Sequence, residues 1–306
     1  SSTVMLVGTG SGSYNIDGFT TTGLVTVSAA AGTYTFTGNV SCAGIACSGS
    51  GSTLNLGTGL THTTTGVLAI SAGATLNGGS STINLNVTGA AFTNAGTFTP
   101  STGTVNYNFN GIQTALATTY YNLSLSGTSA KTVTGITTIT NNFSMSGSAT
   151  ATPVITTVGG SVNISGTAVM TTGANLAITG SLTIGSGSGF TRTGTFTTSA
   201  PTITVNGTFT NGSTGTITGN MTVGATTGVL ALGTTAVTLT GNLTNNNSIT
   251  GTTAQLSISG SVANTGTISL STGRIMQTGS SDFTNTSPGS ITFTGAGSLR
   301  YLQQLC

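Results

Sequence analysis

The chain carries very little conventional chemistry. Its 306 residues include two carboxylates, Asp17 and Asp282, one histidine, His62, and four basic side chains, Lys131, Arg192, Arg274 and Arg300. Three cysteines complete the inventory: Cys42 and Cys47 in "SCAGIACSG", and Cys306 at the last position. Hydrolysis of a glycosidic bond by paired carboxylates needs the two within about 10 Å of each other. If the chain is a stack of coils, as the pattern below argues, about 13 coils separate Asp17 from Asp282, roughly 60 Å at the usual strand spacing. A single histidine without local acidic partners assembles neither a metal cluster nor a triad. Calcium-binding nonapeptide coils would need repeated aspartates. The glycine-rich "GTGSGSYNIDG" (8–18) lacks the helix and the Lys-Ser/Thr that a phosphate loop requires. The sequence therefore predicts a protein that is not an enzyme, with no catalytic residue, no cofactor and no metal. It reads each isolated charged residue as a solvated surface group or a contact between subunits.

The cysteines leave two readings open. In an exported protein Cys42 and Cys47 can close a small disulfide loop, with Cys306 free or bonded to another chain. The alternative is that all three are small buried apolar residues, because disulfide geometry forbids many close pairs.

What must position these residues is a chain of unusual composition. Charged residues make up 2%, hydrophobic residues 36%, and 48 residues are glycine. Such a surface has to be made of Ser, Thr, Asn and Gly. Disorder of this composition usually comes with high net charge, whereas here the net charge is +2 and the apolar residues are regularly placed. Four scattered basic residues cannot neutralise a phosphate backbone, which excludes nucleic acid as a partner. No apolar run approaches the roughly 18 residues needed to span a bilayer. The opening "SSTVMLVGTG" has no basic leader and reads as mature sequence, pointing to an extracellular or cell-surface location after signal-peptide removal.

A repeat organises the chain. "YNLSLSG" from Tyr121, "NNFSMSG" from Asn141, "GSVNISG" from Gly160, "GSLTIGSG" from Gly180, "GNMTVGA" from Gly219, "GNLTNNN" from Gly241, "GSVANTG" from Gly260 and "SDFTNTS" from Ser281 start 20, 19, 20, 39, 22, 19 and 21 residues apart. The 39 is two units, with a weaker copy near Ser199–Val205. Within each unit apolar residues alternate with Thr, Ser or Asn: Val237, Leu239, Gly241, Leu243 and Asn245 share one parity, and Thr238, Thr240, Asn242 and Thr244 the other. Period two means strands with one buried face. Glycine on the inward parity lets the chain bend toward its own axis. Only "GIQTALATTYYN" (111–122) offers a weak helical candidate. The predicted fold is all-β, a parallel β-helix (β-solenoid) with about 20 residues per coil, taken as right-handed from the crossover preference. Its expected extent is residues 1–306 as one elongated solenoid. Residues 1–50 are expected to be an N-terminal cap or less regular coils, and 296–306 a C-terminal cap or docking tail.

"YYNLSLSGTSAKTVTG" (120–135) resembles repeat segments of large secreted bacterial surface proteins of the adhesin-like β-solenoid type, and the likeness extends more loosely over roughly residues 95 to 295. The shared pattern is a pair of aromatics, Asn-Leu, alternating Ser, Gly-Thr, a Lys and a Thr-Val-Thr-Gly close. The resemblance implies export and a structural or adhesive role, and it brings no catalytic residues.

The remaining candidate sites are polar. Asn163, Asn220 and Asn242 stand in Asn-x-Ser/Thr sequons on the outward parity and are the candidate glycan acceptors. Thr195/Thr197, Thr216/Thr218, Thr238/Thr240 and Ser257/Ser259 form outward pairs that stacking would align, as a hydroxyl ladder for ice or glycans or simply because Thr suits an exposed strand. Asn94, Asn211, Asn245, Asn264 and Asn285 each follow an inward Phe, Leu or Val by two residues, and are expected at one corner of successive coils, bonding to turn backbone and to each other. The functional expectation is a structural protein that associates with itself, end to end or laterally, in a filament or surface layer, with Cys306 as a candidate intersubunit thiol. The alternative is an adhesin shaft or a glycan- or ice-binding module.

Overall fold

The computed structural model describes residues 3–8, 10–195, 197–279 and 281–301. The fold is a β-solenoid: parallel strands stacked in about 15 coils of roughly 20 residues. No helix occurs among the described residues, and 111–122 contains instead the short strand Gln113–Thr114 and the start of Asn122–Leu125. Two compact units, Ser1–Asn141 and Asn142–Cys306, make up the chain.

In the first unit each regular coil contributes one strand to each of three sheets. Sheet I holds Val4–Leu6, Leu24–Val27, Gly44–Cys47, Leu68–Ile70 and Phe92–Asn94; sheet II holds Ser13–Ile16, Gly32–Phe36, Ser52–Asn55, Thr75–Asn77 and Thr97–Thr99. Sheet III runs from Phe19–Thr20 through Val40–Cys42, Thr61–Thr64, Thr82–Leu85 and Thr104–Tyr107 to Asn122–Leu125. The described part of 1–50 thus forms coils of the same three-stranded kind. The period there looks blurred because its coils differ in corner length. Thr33 pairs Thr53, Thr53 pairs Thr75 and Thr75 pairs Thr97, advances of 20, 22 and 22 residues.

The second unit repeats the plan with greater regularity. Its first face passes through Phe143–Met145, Val162–Ile164, Ser181–Ile184, the end of Thr198–Val205, the end of Gly215–Val223, Leu243–Asn245, Val262–Asn264 and Phe283–Asn285. Its second face includes Val169–Thr172, Gly189–Arg192, Thr208–Asn211, Val229–Ala231, Ser248–Gly251 and Thr267–Leu270; its third includes Leu176–Ile178, Val237–Thr240, Gln255–Ile258 and Arg274–Gln277.

Alternation does what it predicts: like side chains of successive coils stack into inward columns. Phe143, Val162, Leu182, Ile203, Met221, Leu243 and Val262 are one such column, all buried. Glycine is required where the third face turns into the first. Gly219 and Gly241 stack there with φ +129 and +148, and a Cβ on either would run into the carbonyl below it, Ala200 or Gly219.

Candidate functional site

On the outside, the first face of the second unit presents two polar columns. One runs Ser161, Ser181, Thr202, Asn220, Asn242 and Ser261; beside it stand Asn163, Thr183, Thr204, Thr222 and Thr244, then Ala263. The side chains are tied coil to coil. The Oδ1 of Asn142 accepts the Ser161 N–H at 2.8 Å, that of Asn220 the Asn242 N–H at 3.0 Å, and that of Asn242 the Ser261 N–H at 2.9 Å. The three sequon asparagines are all exposed on this face, Asn220 and Asn242 as neighbours in one column and Asn163 in the other. The coil-to-coil bonds engage the Oδ1 of Asn220 and Asn242, while a glycan would attach through Nδ2.

The outward Thr pairs align only in part. Thr216, Thr238 and Ser257 stack, as do Thr218 and Thr240. Thr218 pairs Ser199, which sets Thr197 level with Thr216, so the Thr195/Thr197 pair is two residues out of step with Thr216/Thr218. A proline and bulge at Ser199–Thr202 shift the register there, which a fixed period does not reveal.

The five corner asparagines prove to be three separate sites. Asn245, Asn264 and Asn285 are in register on the first face of the second unit. They form a directional chain: Asn245 Nδ2 donates to Asn264 Oδ1 at 2.7 Å, and Asn264 Nδ2 to Asn285 Oδ1 at 2.6 Å. Asn245 and Asn264 are fully buried. Asn211 lies on the second face, beside Arg192 in register and accepting from its Nη1 at 3.0 Å. Asn94 is in sheet I of the first unit, where its Oδ1 caps the Gly96 N–H at 3.0 Å. The cause is that every coil has three strands with the same local pattern, so "two residues after an inward apolar side chain" selects positions on different faces.

Two of the isolated cations are buried, contrary to expectation. Lys131 is 2% exposed, and its ammonium donates to Phe109 O at 2.6 Å, Gly111 O at 3.0 Å and Gln113 Oε1 at 2.8 Å. Gln113 pairs Lys131 in register and is itself held by Leu85 O and Val87 O. Burial pulls the Lys131 pKa down to about 8. Arg192 is wholly buried, and desolvation lowers its pKa too. Both side chains share the inward parity of their strands, with Val133 and Phe190 respectively, and that parity was the available signal.

His62 is also fully buried, between the Phe36 ring at 5.2 Å and the sheet III backbone. Its Nδ1 accepts the Val40 N–H at 3.1 Å, which fixes the proton on Nε2, 2.7 Å from Leu56 O. Desolvation holds its pKa below the usual histidine range. A further polar closure surrounds Leu116. Its N–H donates to Tyr107 Oη, that hydroxyl lies 2.9 Å from Tyr120 Oη, and Tyr120 Oη donates to Leu116 O.

Cys42 and Cys47 are free thiols, so the disulfide reading gives way to the buried apolar one. Cys42 belongs to sheet III and Cys47 to sheet I, around the corner at Gly44, whose carbonyl accepts from the Cys42 thiol at 3.3 Å. Burial raises their pKa values to about 11 and about 12. Cys306 and the end of the 296–306 tail lie outside the described residues. Among the described residues no group of three or more His, Cys, Asp or Glu side chains is placed to hold a metal ion, and no helix is long and apolar enough to cross a membrane.

Fold and polar columns together define a three-faced parallel β-solenoid with an almost uncharged surface. No family model, curated protein or solved structure matches the chain.

Proposed function

We propose that the chain is a non-catalytic extracellular structural protein, a self-associating solenoid subunit of a filament or surface layer. The observation that carries this reading is where the charge sits. Of four cations, Lys131 and Arg192 are buried, leaving Arg274 and Arg300 exposed against the two exposed carboxylates Asp17 and Asp282. The formal side-chain charge facing solvent is therefore +2 − 2 = 0. Copies meet without electrostatic repulsion, and near-zero charge favours association. Negative-stain microscopy across a concentration series tests the proposal; strictly single particles at the highest concentration reached would remove it.

The paired outer columns favour a second reading, an adhesin shaft or a module that binds glycans or ice. Hydroxyls and amides repeat there at the strand spacing of about 4.8 Å over successive coils, and the Asn side chains are held in place by coil-to-coil bonds. Ice-affinity partitioning and pull-down on insoluble polysaccharides test it, and retention on neither rejects it.

A further inference from the structure

Four asparagines are followed directly by glycine: Asn77, Asn110, Asn206 and Asn211. Asparagine is among the thermolabile residues. An Asn-Gly step is its most reactive setting, because no Cβ hinders attack of the glycine nitrogen on the side-chain amide. What separates the four is how that nitrogen is held. The Gly78 N–H donates to Thr99 O at 2.8 Å, Gly207 to Ile184 O at 3.0 Å and Gly212 to Arg192 O at 2.8 Å, so each is tied to a neighbouring coil. Freeing any of them breaks a bond of the stack. The Gly111 N–H instead turns back to Phe109 O, two residues earlier in its own loop, at 2.9 Å. That loop, 108–112, lies between the strands Thr104–Tyr107 and Gln113–Thr114, and Asn110 joins the stack through an isolated bridge to Thr128. The side chains differ in the same sense. Asn211 is buried with its amide bonded to Arg192, Ser213 and Thr235, and Asn77 Oδ1 accepts from Gly79 N–H and Ser101 Oγ. Asn110 is exposed. Beside it the Lys131 ammonium sits on Phe109 O at 2.6 Å and Gly111 O at 3.0 Å, the carbonyls of the two residues flanking Asn110. A positive charge so placed favours the deprotonated glycine nitrogen that must attack.

We propose that Asn110–Gly111 is a self-modification site, where the chain converts a neutral amide into a carboxylate in the loop that holds Lys131. The Gly111 nitrogen gives up its proton and bonds to Asn110 Cγ. The bond from Cγ to Nδ2 breaks, and ammonia leaves with that proton. Water then opens the cyclic imide at one of its two carbonyls, leaving aspartate or isoaspartate at position 110. No oxidant, metal or second protein takes part. The product suits its surroundings. The three oxygens around the Lys131 ammonium, Phe109 O, Gly111 O and Gln113 Oε1, are all uncharged. A carboxylate at 110 brings a negative charge into the loop that carries them, and an opposite charge nearby favours the ammonium form.

The test is site-resolved mass spectrometry of the folded chain held at pH 8 over a time course, with the chain unfolded in guanidinium chloride as the reference. In the native protein, amide loss at Asn110 is expected to run at least tenfold faster than at Asn77, Asn206 or Asn211. In denaturant the four rates should converge, because the coil-to-coil bonds that separate them are gone. Native loss that begins at any of the other three, or four native rates alike, overturns the assignment. Asn110→Gln should abolish the early release of ammonia, since the longer side chain closes a less favourable ring; release at the wild-type rate from that variant equally overturns it. Asn110→Asp reads out the consequence for Lys131. Its urea midpoint at pH 7 should exceed that of wild type, and the gain should vanish when both proteins also carry Lys131→Met. No gain, or a gain that survives without the lysine, overturns the pairing of the new carboxylate with Lys131.

Discussion

Protonation of His62 is the most direct way to open the first unit. The ring is fully buried, and both nitrogens are committed: Nδ1 accepts from Val40 N–H, and Nε2 donates to Leu56 O. A proton on Nδ1 would set two N–H groups against each other, inside a wall formed by Phe36 and the neighbouring strands. The ionisable side chain in register nearby is Cys42, two residues along from Val40, which stands opposite His62, and burial keeps it a neutral thiol. The folded-state pKa of His62 is depressed, so the unfolded chain binds the proton first. Stability is then present above the unfolded value of about 6.5 and is lost as pH falls below it, at a limiting slope of about 1.4 kcal/mol per pH unit for one proton. Between pH 6.5 and 5.0 the loss reaches at most about 2 kcal/mol. His62→Asn retains an acceptor near the Val40 N–H but cannot titrate. It gives up the bond to Leu56 O and the ring contact, so it should be about 1–2 kcal/mol less stable at pH 8 and should show none of the acid-dependent loss. The assay is hydrogen exchange at the Val40 amide, with urea midpoints alongside, from pH 8 to pH 5. Exchange is corrected for its intrinsic pH dependence. A wild-type protection profile that is flat across pH 6.5, or a variant as steep as wild type, would refute this reasoning.

The other expectations concern the buried polar groups. Asn264→Ala should cost about 1–2 kcal/mol, because the buried Asn245 Nδ2 loses its 2.7 Å acceptor and keeps only Thr267 O at 3.2 Å, while the exposed Asn285 Oδ1 can turn to water. The triple change of Asn245, Asn264 and Asn285 to Val should cost far less than three times that, since Ile164, Ile184, Val205 and Val223 fill the same column below; denaturation midpoints of the two variants check both. For Lys131, with its pKa near 8 in the fold and about 10.5 unfolded, the charged form is the disfavoured one. Relative to Lys131→Met, wild type should therefore gain up to about 3 kcal/mol as pH rises from 8 to 10.5, read as the difference between the two midpoint curves. Cys42 and Cys47 should resist thiol reagents in the folded chain at pH 8 and react promptly in denaturant; rapid labelling of the native protein would contradict their burial and raised pKa values.

How much of this was legible follows from what a period can and cannot encode. Alternation plus a 20-residue repeat suffices for parallel coils, because each inward side chain needs a like neighbour above it. The same alternation is identical on all three faces, so it cannot say which face a given Asn occupies. That is why Asn94 and Asn211 separated from the Asn245 ladder. The cations were misread for another reason: they were judged by scarcity, when their parity with Val133 and Phe190 already pointed inward.

The buried polar groups answer a problem that repetition creates. Coils of nearly equal length and similar inward residues can slip by one coil at small cost, because Val, Ile and Leu substitute for one another in a stack. A slip would move Lys131 away from the three oxygens around it, His62 away from the Val40 N–H, and Arg192 away from Asn211. Each would leave a polar or charged group unpaired in the interior, at a cost of several kcal/mol. These residues are spread along the chain, so each marks its own coil and penalises the shifted stack. The positive charge missing from the surface is therefore working in the core. There it sets the register of a fold whose apolar columns alone would leave it loosely specified.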